Sequence, residues 1–437
     1  MGEQYKINDV IYKCEFKLKN PDGQEVKFTK SALRGLTIID NFFDPFLNGS
    51  VAIANPYDLV EDKYLLRGDG RDVFSIEIFP EDKPKDKLKY DFILFSEENF
   101  GNPEVRSENI KKFSMMHKDS LPFMDTIPYG KTFFGKAGDI LKDIFKELLG
   151  ENMVDEGEWQ SGDFTMKYHP PLTFRYIDLM NYLLKHYYAK DGDMYVKGFI
   201  HFDEEKNKYQ LRWLSKIFEN NNNSLMEAFT MAELADGGDT SNANNPPPDA
   251  EVGEYISSIK NIGYSTPMYE INNDFSINTV VYGYDPILGI HKTIIKKLED
   301  IEKKWEQKFV KSFKAIGGAT KPFVVKNKNT KQKFRHFRSP YPVEDSEKMV
   351  EAEMINTLTF YNLRAIFANL GSANRKGGKF IDIVKVGKDK QKSDGKLLGR
   401  WFVHELRHIF LGDGYTNEFS CCKTYSGPNT NINNNAE

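Results

Sequence analysis

Cysteine is scarce in this chain: there are three, at 14, 421 and 422. An odd number with no regular spacing describes no disulfide framework. Synthesis in a reducing cytosol fits it best. On a strand the adjacent Cys421 and Cys422 point to opposite faces, so they do not form a metal clip. Long apolar runs are missing too, and none approaches the ~18 residues of a membrane span. The start, Met-Gly-Glu-Gln-Tyr-Lys, is polar and carries no secretory signal. Lys6 stands where a myristoylation signal requires Ser or Thr. Charge is nearly balanced, with Lys+Arg 60 against Asp+Glu 64 and a formal net charge of -4, which is no nucleic-acid footprint. Catalytic signatures are equally thin. Gly68-Asp-Gly and Gly317-Gly318 are too short to cradle phosphate, and neither G-x-S-x-G nor G-x-x-x-x-G-K-S occurs.

Aromatic side chains are what the chain has in abundance. Its 33 Phe and 22 Tyr suit strands and broad packed interfaces. The 437 residues allow about two to four domains with their own cores.

From Ile7 to Ser120 short alternating runs predict strands. Tyr12 to Lys19 and Gln24 to Phe28 form a hairpin about the Pro21-Asp22-Gly23 turn. Runs near Leu33, Phe46, Val73, Tyr90 and Ile110 follow at barrel-like spacing, with a short helical segment around Leu59 to Leu66 and a charged loop at Glu81 to Lys89. The pattern changes at Gly135, and from Ala137 apolar residues at 140, 141, 144, 145, 148 and 149 predict a helix closed by Gly150. Phe174 to Tyr188 predicts a second, with Thr173 as N-cap. Strands around Met194, Phe199 and Tyr209 complete a small α/β insertion. The stretch from Gly237 to Glu251, with Pro246-Pro247-Pro248, reads as a linker. Strands resume at Tyr255 and Thr279. A basic stretch from His291 to Arg338 then predicts a helix from Thr293 to about Phe313, and Glu344 to Leu370 is helical in pattern.

The division expected is therefore a first barrel over 1–125, an α/β insertion over 126–236 and a linker over 237–252. A second barrel over 253–293 and 345–426 is interrupted by a basic helical and loop insertion over 294–344, and 427–437 is a disordered tail. The fold class read from the residues is mainly β with α+β insertions, each β module a barrel or a sandwich.

One motif points elsewhere. His404-Glu405-Leu406-Arg407-His408 matches H-E-x-x-H, the pattern of zinc peptidases. That site needs a helix, where residues four apart share a face and chelate one ion. Trp401, Phe402, Val403, Ile409 and Phe410 favour a strand, and Gly412-Asp413-Gly414 turns it into a partner at Tyr415 to Tyr425. On a strand the two imidazoles share a face but lie ~13 Å apart, too far to hold one metal. No histidine follows His408 to serve as third ligand. A zinc-dependent hydrolase using His404, Glu405 and His408 is the alternative this motif keeps open; the expectation is no catalytic residues, no cofactor and no metal. The cluster Lys321 to Lys333 reads as a solvated loop, with nucleic-acid binding through Lys321 to Arg338 the weaker reading.

Several stretches together resemble the central baseplate hub protein of contractile-tailed bacteriophages, which is related to the base of the type VI secretion spike. They are Gly49-Ser-Val-Ala-Ile-Ala-Asn with Gly70 to Ile78, then Phe133 to Phe145 with Phe174 to Tyr188, and finally Arg400 to Phe410 with Tyr415-Thr-Asn-Glu-Phe, in which His408 occupies a recurrent position. The likeness runs in order over about 10–425; the basic segment 294–343 departs from it. The resemblance implies two tube-like antiparallel β-barrel domains carrying inserted α/β segments, and a homotrimer whose six similar barrels form a pseudo-sixfold ring, adapting a threefold spike to a sixfold tube. It implies as partners the tail spike or needle protein, tail tube and tube-initiator proteins, and baseplate wedge proteins, with DNA only passing through the channel. It implies no stable membrane insertion and a place in the virion after synthesis in the host cytoplasm.

Overall fold

The structure is a computed structural model. It describes residues 3–7, 10–28, 32–54, 71–80, 88–100, 110–203, 206–219, 225–231, 257–259, 262–265, 278–285, 290–297, 299–301, 303–305, 321–322, 333–336, 343–360, 363–384, 399–411, 414–423 and 425–426. The expected linker, the helical segment at 59–66, the tail and most of 306–342 lie outside these residues.

The first eight strands are β1 (Glu3–Ile7), β2 (Val10–Lys19), β3 (Glu25–Phe28), β4 (Leu33–Asn41), β5 (Asn48–Ala54), β6 (Val73–Pro80), β7 (Leu88–Phe100) and β8 (Ile110–His117). They pair antiparallel in the order β1-β2-β6-β7-β8-β5-β4, with β3 added to β2. Their period-two pattern sends one face inward: Cys14, Phe16 and Leu18 meet Phe74, Ile76, Phe92 and Met115 in one core. The β2–β3 turn is closed by Asn20, whose side-chain oxygen accepts from Gln24 N–H at 2.9 Å, and Gly23 supplies the positive φ of 86°.

The insertion carries α1 (Leu121–Asp125), β9 (Phe133–Lys136), α2 (Ala137–Leu149), β10 (Val154–Trp159), β11 (Thr165–Tyr168) and α3 (Tyr176–His186). It continues through β12 (Ala189–Asp191), β13 (Met194–Val196), β14 (Gly198–Asp203), β15 (Lys208–Trp213) and α4 (Leu214–Glu219). The helix predicted from Ala137 is present and ends at Gly150, whose φ is 102°. The second helix starts later than expected. Phe174 N–H donates to Pro171 in a turn, so Arg175 takes the N-cap position in place of Thr173, and Asp178 accepts from Arg175 N–H at 3.0 Å.

Beyond the insertion come β16 (Leu225–Met231), β17 (Ser257–Ile259), β18 (Ile262–Ser265), β19 (Asn278–Asp285), β20 (Ile290–Lys297), β21 (Lys321–Pro322), β22 (Lys333–His336), α5 (Val343–Phe360), β23 (Leu363–Leu370), β24 (Phe380–Val384), β25 (Gly399–Leu411), β26 (Gly414–Lys423) and β27 (Tyr425–Ser426). Strands in the paired order β18-β23-β26-β25-β24-β16-β17 wrap a second core of Leu363, Phe367, Ile381, Trp401, Leu406 and Phe419. Along this run the pairing is antiparallel except at β16, which runs parallel to both β24 and β17; elsewhere β10 runs parallel to β15 and β22 to β19. β16 lies within the span assigned to the insertion, yet it is part of this wall. β19, within the span assigned to the second barrel, forms a separate sheet with β20 and β22.

Two helical expectations give way in part to strands, with residues 299–301 and 303–305 helical as expected. Residues 290–297 extend as β20 along β19, because pairing Tyr282 with Thr293 and Val280 with Ile295 satisfies the backbone. The helix expected to reach Leu370 stops at Phe360. Leu363, Ala365 and Phe367 are buried alternately and belong to the second core as β23. Helix α5 packs instead with the insertion: Met349, Ile355 and Leu358 share a core with Leu141, Phe145 and Leu183. Glu351, 1% exposed, is held there by Lys296 at 3.0 Å and Lys304 at 2.9 Å.

Candidate functional site

The terminal hairpin β25–β26 is where the two barrels and the insertion meet. Residues 405–410 of β25 pair with 36–41 of β4, so both barrels share one continuous sheet. Near the other end of β25, Arg400 makes a two-pronged bond to Asp382 of β24, Nε to Oδ1 at 2.7 Å and Nη2 to Oδ2 at 2.8 Å.

The H-E-x-x-H residues lie on this hairpin, in β25, as the strand expectation requires. Their geometry differs from the expectation in one respect. Val403 pairs with Cys421 and Glu405 with Ser420, which leaves His404 unpaired on β26 as a β-bulge. The extra residue reverses the alternation, so Trp401 and Val403 before it and Leu406 after it face the same core. His404 turns outward, its ring 6.0 Å from that of Phe43, and its carbonyl accepts from Phe42 N–H at 2.8 Å. His408 turns inward and is 2% exposed. The two imidazoles therefore occupy opposite faces, not the shared face expected of an unbroken strand.

Each member of the motif has its own partners. Glu405 accepts from Arg407 Nε at 2.8 Å and from Asn41 Nδ2 at 3.4 Å, and Arg407 reaches Glu418 at 3.1 Å. This is an outer ladder of partly exposed ion pairs. His408 Nδ1 lies 2.7 Å from the Tyr415 hydroxyl and 3.0 Å from Asn417 Nδ2. Asn417 Oδ1 accepts from Ser372 N–H at 2.5 Å and from Arg375 at 3.2 Å, which assigns its amide nitrogen as the donor to His408. Nδ1 is then the acceptor, and the ring proton sits on Nε2. Burial pushes both histidines down to about 4, so both are neutral near pH 7. Among the described residues no group of three or more His, Cys, Asp or Glu is arranged to hold a metal ion.

Cys421 and Cys422 do face opposite ways, one into the second core and one toward the insertion, and burial raises both thiols. The bracket of Ser372, Arg375 and Asn417 around His408 was missed by sequence reasoning. A polar run at 369–376 carries no sign that it folds back onto a strand more than 30 residues later, and only pairing reveals it.

No family model matches the sequence, and no curated protein matches it. The fold does match solved structures over nearly the whole chain. One is the tail protein from Neisseria meningitidis MC58, at 7% identity and TM-score 0.52, covering 94% of this chain and 96% of that one. Another is the 43 kDa tail protein of prophage MuSo2 from Shewanella oneidensis, at 8% identity and TM-score 0.52, covering 93% and 97%. A third is a chain of the Francisella PdpA-VgrG complex in its half-lidded form, at 11% identity and TM-score 0.50, covering 95% of this chain and 59% of that one. The fold is thus similar to that of these two tail proteins. It is shared with a VgrG-containing assembly, in line with the resemblance found in the sequence.

Proposed function

We propose that this chain is a structural, non-enzymatic component of a phage tail baseplate, located in the virion. In this reading it is a homotrimeric hub ring that joins the central spike to the tail tube, adapts threefold to sixfold symmetry and leaves a channel for DNA. The observation that carries the reading is the β4–β25 seam. Two barrels built into one sheet cannot rotate independently, and three such chains would set six barrel walls in a fixed ring. Likeness to tail proteins from end to end supports the structural role. The spike or needle protein on one side, and tube, tube-initiator and wedge proteins around it, are the partners this reading names.

The zinc-hydrolase alternative requires His404 and His408 on one ion. Placed on opposite faces of a strand, they cannot meet one.

Light scattering on the purified chain, with zinc analysis and electron microscopy of the same sample, tests the reading. A three-chain mass, a six-lobed ring and no stoichiometric metal are expected. A monomer that holds one zinc and loses it on His404→Ala would sink it.

A further inference from the structure

A cleft of about 130 Å³ opens between the β4–β5 connection, the hairpin β14–β15 and the loop 376–379. It borders the end of the barrel seam at Asp40 and Asn41 and does not rest on the hub reading. On the hairpin, Phe199 pairs with Arg212 and His201 with Gln210, which sets His201 and Arg212 on one face. The opposite face sends Ile200, Tyr209 and Leu211 into the core.

Three donors in this cleft have unused hydrogen-bonding capacity. Arg212 Nε is buried without a partner among the described residues. Neither the His201 ring nor the Lys379 ammonium has a hydrogen bond among the described residues, although His201 lies 5.9 Å from the Phe42 ring. Burial first, and then the charges of Arg212 and Lys379, hold His201 neutral, with its pKa pushed down to about 3.

Three of the four lining carboxylates are engaged, while Glu158 makes no hydrogen bond among the described residues and acts on the Arg212 guanidinium by charge alone. Asp40 accepts from Gly377 N–H at 2.6 Å, Asp203 from Gln210 at 3.0 Å, and Asp44 from Phe46 N–H and Asn48. A buried donor without an acceptor is costly, so the cleft is built for a group that only accepts. The lining charges narrow the class. Four carboxylates, Asp40, Asp44, Glu158 and Asp203, balance four cations, Lys206, Arg212, Lys376 and Lys379. A multiply charged anion would find no excess positive charge there, whereas one carboxylate matches a guanidinium and an adjacent neutral imidazole.

We propose that this cleft binds a single carboxylate group, from a small free acid or from an acidic side chain of a partner protein. The test follows the Arg212 Nε–H signal of the arginine-labelled full chain by NMR. Titrants are sodium acetate and a blocked Gly-Glu-Gly peptide, with chloride and sulfate at matched ionic strength. A saturable shift with acetate is expected, weakened about tenfold or more by Lys379→Gln, with Arg212→Gln as a second variant read by ligand-induced thermal shift. Saturation with acetate alone points to a free acid. Saturation with the peptide as well points to a partner's side chain. No saturation above the chloride control, tighter binding of sulfate, or binding unchanged in both variants would overturn the assignment.

Discussion

Phe410 and Tyr415 stack in parallel, 4.2 Å between ring centroids and 5° between planes, inside the core of the first barrel. Both belong to the terminal hairpin, where they sit directly opposite each other. A few residues along the same two strands, Leu406 and Phe419 fill the second core. One hairpin thus closes both barrels, and His408 lies between the two sets of side chains.

Truncating Phe410 tests that arrangement. Phe410→Ala removes a fully buried ring and is expected to cost about 3–5 kcal/mol. Calorimetry should show a single transition moved to lower temperature, because both barrels lean on the hairpin. Two separated transitions, with one at its original temperature, would show that the barrels unfold independently.

Acid should weaken the same seam. The pKa of His408 is about 4 when folded and 6.5 as a free side chain, so the native state binds fewer protons between those values. The stability is fully present above pH 6.5 and is lost as pH falls toward 4, with a ceiling of about 3 kcal/mol. His404 and His201 act in the same direction. Urea unfolding at pH 7.5, 5.5 and 4.5 should show the loss, and His408→Gln should have a shallower pH slope. An identical slope in the variant would remove His408 from the account.

Lys197 predicts an effect at the alkaline end. Its ammonium is buried and donates to the Lys185 carbonyl at the end of α3. Burial lowers its pKa to about 8, against 10.5 for the free side chain. The unfolded chain binds more protons between those values, so this group adds stability as pH rises from 8 to 10.5. Denaturation measured at pH 7.5, 9 and 10 should show that rise in the wild type and not in Lys197→Met. A rise of the same size in the variant would assign it to other groups.

Gly138 sets intrinsic propensity against tertiary contact. It lies in the first turn of α2, where alanine would favour the helix by up to about 1 kcal/mol. A Cβ there would stand 2.5 Å from the carbonyl oxygens of both Gln160 and Ser161, which are backbone atoms that cannot swing away. Gly138→Ala is expected to destabilise the insertion by more than the propensity gain, read as a lower melting temperature by circular dichroism. A stabilised variant would mean that the loop at 160–161 yields easily.

Much of this was legible in the residues. The spacing of Ile140, Leu141, Ile144 and Phe145 describes α2, and the alternation of β2, β6 and β7 describes one wall of a barrel. The β-formers around His404 describe a strand despite the peptidase-like spelling. The errors fall where local pattern is ambiguous. Residues 363–370 follow a helix without a breaker and continue its apolar content, and only pairing with β26 shows their period to be two. Ile294 and Trp305 fit one helical face on paper, yet Ile294 lies in a strand, because β19 offered it a ladder.

The sequence by itself determined the faces: which side chains seek water and which seek one another follows from their chemistry and their period. The tertiary structure alone decided the bulge at His404 and the union of two barrels through β4 and β25. The union depends on where strands hundreds of residues apart pair, and the bulge on a one-residue offset within the terminal hairpin. Neither leaves a mark in local composition, yet the offset reverses every side chain beyond it.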